Sequence, residues 1–224
     1  MTTSRTDAPG AGEFVPARAD LDDLREAAHG CRGCDLYRNA TQVVFSVGAA
    51  DAALVLVGEQ PGDVEDREGE PFVGPAGNLL TRALDEAGVG RGAAYLTNAV
   101  KHFRFHESPR GKRRIHDKPD RVQIVACRPW LVAEFALLRP RVVVALGATA
   151  AGALVGPAFR VTRSRGELLP WPASAQHPGD FPELDPPALF LATVHPSAVL
   201  RSDDRQAAYQ AFAADLAVAA KAAA

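Results

Sequence analysis

The sequence predicts a three-layer α/β/α domain around a four-stranded, mostly parallel sheet. Three observations lead there: four short apolar runs, helical segments between them, and a glycine or polar residue closing the runs. Residues 20–29 read as a short helix, with Asp20 as N-cap and acids in the first turn. Cys31-Arg32-Gly33-Cys34 follows directly. Residues 52–57 (AALVLV) form a continuous apolar run stopped by Gly58, the pattern of a strand buried on both faces. A helix over 76–87 is closed by Gly88, and 94–97 (AYLT) is the second strand. Residues 119–138 are helical, with Pro119 near the start and Pro140 just beyond the end. The third strand is 141–146 (RVVVAL), followed by Gly147 and a small-residue helix over 148–154. The polar, proline-rich stretch 170–187 is a long loop, 188–194 (ALFLATV) is the fourth strand, and 203–222 is an Ala-rich terminal helix. Strands alternating with helices favour parallel pairing through crossover connections.

At 224 residues the chain suits one large domain with a substantial core, expected over 16–224 after a disordered tail at 1–15. No apolar run approaches a membrane span and the start carries no signal core, so a cytoplasmic bacterial protein, nucleoid-associated when acting on DNA, is expected. Three cysteines argue against a disulfide framework and leave metal binding or burial. A net charge of −2 excludes a generally basic protein, so any nucleic-acid site must be local.

One segment is local in that sense. Residues 101–121 hold eight Lys/Arg against three acids, ending near the run Lys112-Arg113-Arg114-Ile115-His116. On charge alone this is a solvated loop; with neighbours it becomes a place for a phosphate backbone. In parallel sheets ligands bind beyond the carboxyl ends of the strands. Those ends carry Gly58-Glu59-Gln60-Pro61-Gly62, Asn98 to His102, Gly147 and His195-Pro196-Ser197. The loop 71–77 (PFVGPAG) suits a rigid turn presenting Phe72. A flat polar base could stack on Phe72 while Asn98 reads its edge. Arg160, Arg163 and Arg165 are further candidates for phosphate.

The motifs GEQPG (58–62), PFVGPAG (71–77), TNAVKHF (97–103) and HPSAVLR (195–201) occur in an order that resembles uracil-DNA glycosylases of the family 4 type. The KRRIH run (112–116) and the glutamine of GEQPG resemble the UdgX branch in particular. The resemblance covers nearly the whole domain and implies that the protein flips and excises uracil from single- or double-stranded DNA, acting as a monomer. It implies uracil contacts from Gln60, Asp63, Phe72, Asn98 and His195, with His195 supporting the leaving anion. DNA contacts fall to Lys112, Arg113, Arg114, Ser197 and Arg201. A hydrolytic glycosylase needs a carboxylate to activate water, yet Gln60 is an amide. A neutral imidazole is a competent nucleophile, so His116 is the expected attacking group at the sugar C1′, leaving protein and DNA covalently joined. Glu59 would orient His116 or offset its charge.

The resemblance further implies a 4Fe-4S cluster held by Cys31, Cys34, His102 and Cys127, with His102 where family 4 enzymes place a cysteine. Histidine does ligate iron in such centres. By spacing alone the same set suits a structural zinc. Two other activities stay open on the sequence: hydrolytic uracil-DNA glycosylase turnover, and a non-catalytic, metal-stabilised DNA-binding module.

Overall fold

A computed structural model of the chain describes residues 9–109, 111, 113–172 and 181–224. The first helix is α1 (Leu21–Ala28), where the Asp20 carboxylate accepts the backbone N–H of Asp22 and Asp23, both at 2.9 Å. A two-residue strand β1 (Ser46–Val47) precedes β2 (Leu54–Gly58), α2 (Asp63–Glu68) and α3 (Pro75–Glu86). Next come β3 (Ala94–Asn98) and an antiparallel hairpin of β4 (Phe105–Glu107) and β5 (Arg114–His116). The second half runs α4 (Arg121–Leu137), β6 (Val142–Leu146), α5 (Ala148–Val155), α6 (Val161–Ser164) and β7 (Leu169–Pro170). It ends with β8 (Leu189–Thr193), α7 (Pro196–Leu200) and α8 (Arg205–Ala223).

The main sheet has six strands in the order β1-β3-β2-β6-β8-β7, not the four expected. The four long central strands are parallel, and the two added edges are antiparallel pairs of two residues each. Alternate side chains feed two cores. Val55, Val57, Val143 and Phe190 face a layer containing Leu24, Trp130 and Leu154. Leu54, Leu56, Val144 and Leu191 face Leu80, Leu84, Phe212 and Leu216 of α3 and α8. Both faces of the central strands are therefore dry, which is why their sequence is apolar without alternation.

The basic segment, expected as a loop, is the β4–β5 hairpin. Helix α4 begins at Arg121 because Asp120, not Pro119, caps it by accepting the Gln123 N–H at 3.0 Å. Of the expected disordered tail, residues 1–8 lie outside the described residues. Gly10 and Ala11 are held: their N–H groups donate to Gly33 O at 3.0 Å and Ala126 O at 2.7 Å. Among the described residues no helix is long and apolar enough to cross a membrane.

A buried ionic knot ties the sheet to α4. Lys101 Nζ donates to Glu134 Oε2 and to Thr97 Oγ1, both at 2.5 Å, and lies 4.6 Å from the Phe45 ring centroid. Tyr95 and Thr97 hydroxyls each donate to Glu134 Oε1 at 2.8 Å. Burial and the Glu134 carboxylate push the Tyr95 hydroxyl pKa upward, keeping its proton on as donor.

Candidate active site

Strand β2 is followed in sequence by β3 on one side of it, but β6 pairs in parallel on the other, so the order in which strands are added reverses between β2 and β6. A cavity of about 630 Å³ opens beyond the carboxyl ends of these strands, at that switch point. Gly58, at the end of β2, is fixed by close approach. A Cβ there would sit 2.7 Å from Phe72 Cζ and nearer still to Asn98 Oδ1. Asn98 pairs in register with Gly58 from β3 and is buried, and its Oδ1 has no hydrogen-bond partner among the described residues. An orphaned buried acceptor is costly, so a donor brought to this oxygen would be bound favourably.

Phe72 forms the aromatic wall from a backbone at φ 58°, a left-handed conformation that a bulky residue adopts only when its surroundings force it. The surroundings are visible. Arg91 Nη1 donates to Phe72 O at 2.9 Å and Arg91 Nη2 to Pro71 O at 2.7 Å. Gly77 packs so closely beneath the Phe72 carbonyl that no side chain fits there. Glu65, on α2, joins the two loops by accepting N–H groups of Gly62 at 3.1 Å and Gly74 at 2.9 Å.

On the other side stands His195, the N-cap of α7. Its Nδ1 accepts the Ser197 N–H at 3.2 Å, with Ser197 Oγ at 2.8 Å, so the ring proton belongs on Nε2. Burial, with the charges of His116 and Arg201, lowers its pKa to about 4. The ring is thus a neutral donor at physiological pH. Stability follows with a definite sign. Between the unfolded value of 6.5 and about 4, the unfolded state binds a proton that folded His195 refuses, so stability falls as pH drops through that window. Thermal melts from pH 7 to 4 should show this loss, and His195→Gln should reduce it.

His116 ends β5, about half exposed at the cavity, with Nε2 3.5 Å from Glu59 Oε1. The other Glu59 oxygen accepts a short hydrogen bond from Thr149 of α5. Thr149 falls in the small-residue helix expected over 148–154 and carries no sequence signal for this role. Gln60 has both amide donors committed: Nε2 bonds Arg104 O at 3.1 Å and Asp117 O at 3.0 Å. Its Oε1 accepts the Arg104 N–H at 3.2 Å. Gln60 therefore clips together the two strands at the base of the hairpin that carries His116.

The cavity gathers Glu59, Gln60, Phe72, Asn98, His116 and His195, and Ser197 and Arg201 also line it. Two expected contacts are elsewhere. Asp63 is not at the cavity but pairs with Arg67 and Arg114. Arg114, expected on DNA, is instead largely buried, bonded through Nε to Asp63 and through Nη1 to Asp66 at 2.6 Å. It lies over the Phe105 ring at 4.9 Å, and its partners raise its pKa. Arg114 is a bolt between hairpin and α2. Arg113 is exposed and away from the cavity lining, and Lys112 lies outside the described residues. Arg165 pairs with Asp215 at 2.6 Å rather than standing free for phosphate.

Cys31, Cys34 and Cys127 are buried and free of disulfides. Trp130 Nε1 donates to Cys31 Sγ at 3.2 Å, and the Lys101 N–H to Cys127 Sγ at 3.3 Å. Burial pushes the Cys127 thiol up to about 12 and Cys34 to about 11. His102 is buried too, its pKa lowered by burial to about 4. Among the described residues no group of three or more His, Cys, Asp or Glu is arranged as a metal site. The chemistry of the donors nonetheless fits a soft metal: three sheltered thiols, two of them already accepting N–H bonds.

A slot with one aromatic wall, a waiting amide oxygen and a neutral imidazole donor, set at the switch point of an α/β/α sheet, takes a flat heterocycle by its polar edge. That defines a base-recognising protein. Residues 45–217 match the uracil DNA glycosylase superfamily, and the chain belongs to this family. It is 35% identical over 183 residues to the type-4 uracil-DNA glycosylase of Thermotoga maritima, covering 81% of this chain and 84% of that protein. It is also 35% identical over 191 residues to the Pyrobaculum aerophilum type-4 enzyme, covering 85% of this chain and 90% of the relative.

Proposed function

We propose that this protein excises uracil from DNA and then stays joined to the abasic sugar through His116, as in the UdgX branch. One observation carries the reading. At the cavity a half-exposed imidazole faces Glu59 at 3.5 Å, while the neighbouring Gln60 is an amide with both donors bound to backbone. No carboxylate stands at position 60 to activate water, and a nucleophile stands nearby.

The steps follow from the residues. The flipped uracil stacks on Phe72, and its N3–H gives Asn98 Oδ1 the missing partner. The glycosidic bond breaks with its electron pair leaving on uracil N1. His195 Nε2–H donates toward O2, where the negative charge collects. The Nε2 lone pair of His116 bonds to C1′, and the positive charge passes from the sugar to the imidazole. Glu59, fixed by Thr149, offsets that charge in both places. The uracil anion takes a proton from solvent, and the Nδ1 proton of the adduct is lost to solvent.

The cysteines support a 4Fe-4S cluster in this reading, held by Cys31, Cys34 and Cys127 with His102 as fourth ligand. Buried thiols with raised pKa values become thiolates only beside a metal's positive charge, and His102 is kept in the neutral form that ligates. When bound, the cluster supplies a structural cross-link between the N-terminal segment, α4 and the start of the hairpin. Brown protein with broad visible absorbance supports iron, and colourless protein containing zinc rejects it.

The test is direct. The full chain is incubated with a single-stranded oligonucleotide containing one deoxyuridine, then heated in detergent and run on a gel. Free uracil and a heat-stable protein–DNA species in equal amounts are expected. Repeated turnover with free abasic product and no such species would hand the nucleophile's role to water. DNA binding without uracil release would leave only a binding module. Gly58→Ala should lower uracil release by at least ~100-fold, because one methyl collides with both Phe72 and Asn98; overpacking of this kind costs roughly 1–3 kcal/mol in the ground state as well. Release assays and a thermal melt separate the two effects.

A further inference from the structure

A second groove, of about 510 Å³, lies beside the active-site cavity, and Lys118, Ala148 and Thr149 line both. Its volume is within the ~300–1,000 Å³ usual for small-ligand sites. Its walls come from the start of α4, from α5 and from the segment leading into α6. The floor is apolar, made by Ile124, Val125, Ala153, Phe159 and Val161. Val125 is 45% exposed although it lies on a helix face that packing could have covered. Phe159 is half-buried, edge-on to Phe190 with centroids 5.5 Å apart. Every charged side chain in the lining is a cation: Lys118, Arg121, Arg128 and Arg160, with no carboxylate among the described lining residues. In a chain of net −2 that one-sided charge is a selection for an anion.

Apolar floor and cationic rim together fit one chemistry, a planar base attached to a phosphate. Stacking on such a floor holds a base with little regard to its identity, and cations on phosphates add a salt-sensitive share. Contiguity fixes the source. The groove meets the cavity at Lys118 and Thr149, so a strand whose deoxyuridine fills the cavity passes its next residue over Lys118 into the groove. We propose that this groove holds the unpaired nucleotide adjoining the flipped deoxyuridine on the same strand. Lys118 spans the joint between the two sites, and Arg121 and Arg160 take the phosphate at the rim. The inference rests on the reading of the cavity as a uracil site.

The test uses the full chain and single-stranded oligonucleotides with one deoxyuridine. In two of them the 5′ or the 3′ neighbour is an abasic spacer. One spacer should lower uracil release about tenfold through KM, with the other near neutral. Val125→Asp and Arg160→Glu, both at exposed positions, should each lower release from the unmodified strand by a similar factor. Combined with the sensitive spacer they should cost no more than either change alone. Spacers without effect on either side, or losses that simply multiply, overturn the proposal. Anisotropy binding to a uracil-free oligonucleotide keeps the two readings apart. If the wild-type chain releases no uracil, the proposed function fails. The groove then still stands if Arg160→Glu weakens this binding about tenfold with a reduced salt slope, and falls if it does not.

Discussion

Replacing His116 with alanine should abolish the heat- and detergent-stable DNA species altogether. In the proposed mechanism the imidazole forms that bond, and alanine has no electron pair to offer. Uracil release should also fall, by ~10²–10⁴-fold, the range over which a positioned acid, base or nucleophile contributes. Folding should be spared. The side chain is about half exposed, 3.5 Å from Glu59 and with its ring centroid 6.0 Å from that of Phe103, so stability should change by no more than about 0.5 kcal/mol. A stable DNA species formed by His116→Ala would remove His116 from the mechanism. Loss of the species with rapid uracil release retained would separate capture from base excision and place the leaving-group chemistry on His195 and Asn98.

Lys101→Met should be the most destabilising single change in the core. It strands the Glu134 carboxylate, fully buried, with only the Tyr95 and Thr97 hydroxyls for company. Breaking one side of a buried ion pair costs roughly 3–5 kcal/mol, because the remaining charge loses its counterion but not its desolvation. For a chain of this size the melting temperature should drop by on the order of 10 °C. The paired change Lys101→Met with Glu134→Leu should recover part of that loss, since no charge is then left behind. Urea or thermal denaturation of the three variants decides it, and a double variant no better than the single would mean that packing, not charge, holds this junction.

The central sheet was legible because each of its four long strands is dry on both faces, and such strands must be apolar throughout. The edge strands were hidden for the opposite reason. Ser46-Val47 and Leu169-Pro170 are two residues long, and only a partner strand makes them strands. The hairpin was hidden by polarity: Phe105-His106-Glu107 and Arg114-Ile115-His116 look like loop until Gln60 and Arg114 are seen fastening them. Helix α2, DVEDRE, has no apolar face to betray it. The cavity residues Glu59, Phe72, Asn98, His116 and His195 were readable because strand ends and ordered motifs converge there. Arg114 misled because a cation in a basic run reads as a phosphate ligand, while its partners Asp63 and Asp66 lie about fifty positions upstream in sequence. Thr149 was silent, because a small polar residue in a small-residue helix announces no hydrogen bond to a distant carboxylate.

The clip formed by Gln60 limits which side chain position 60 can hold. A carboxylate at this position would face the carbonyl oxygens of Arg104 and Asp117, acceptor against acceptor, and would release the base of the hairpin. In the proposed mechanism the same amide withholds a water-activating base and secures the strand that carries His116.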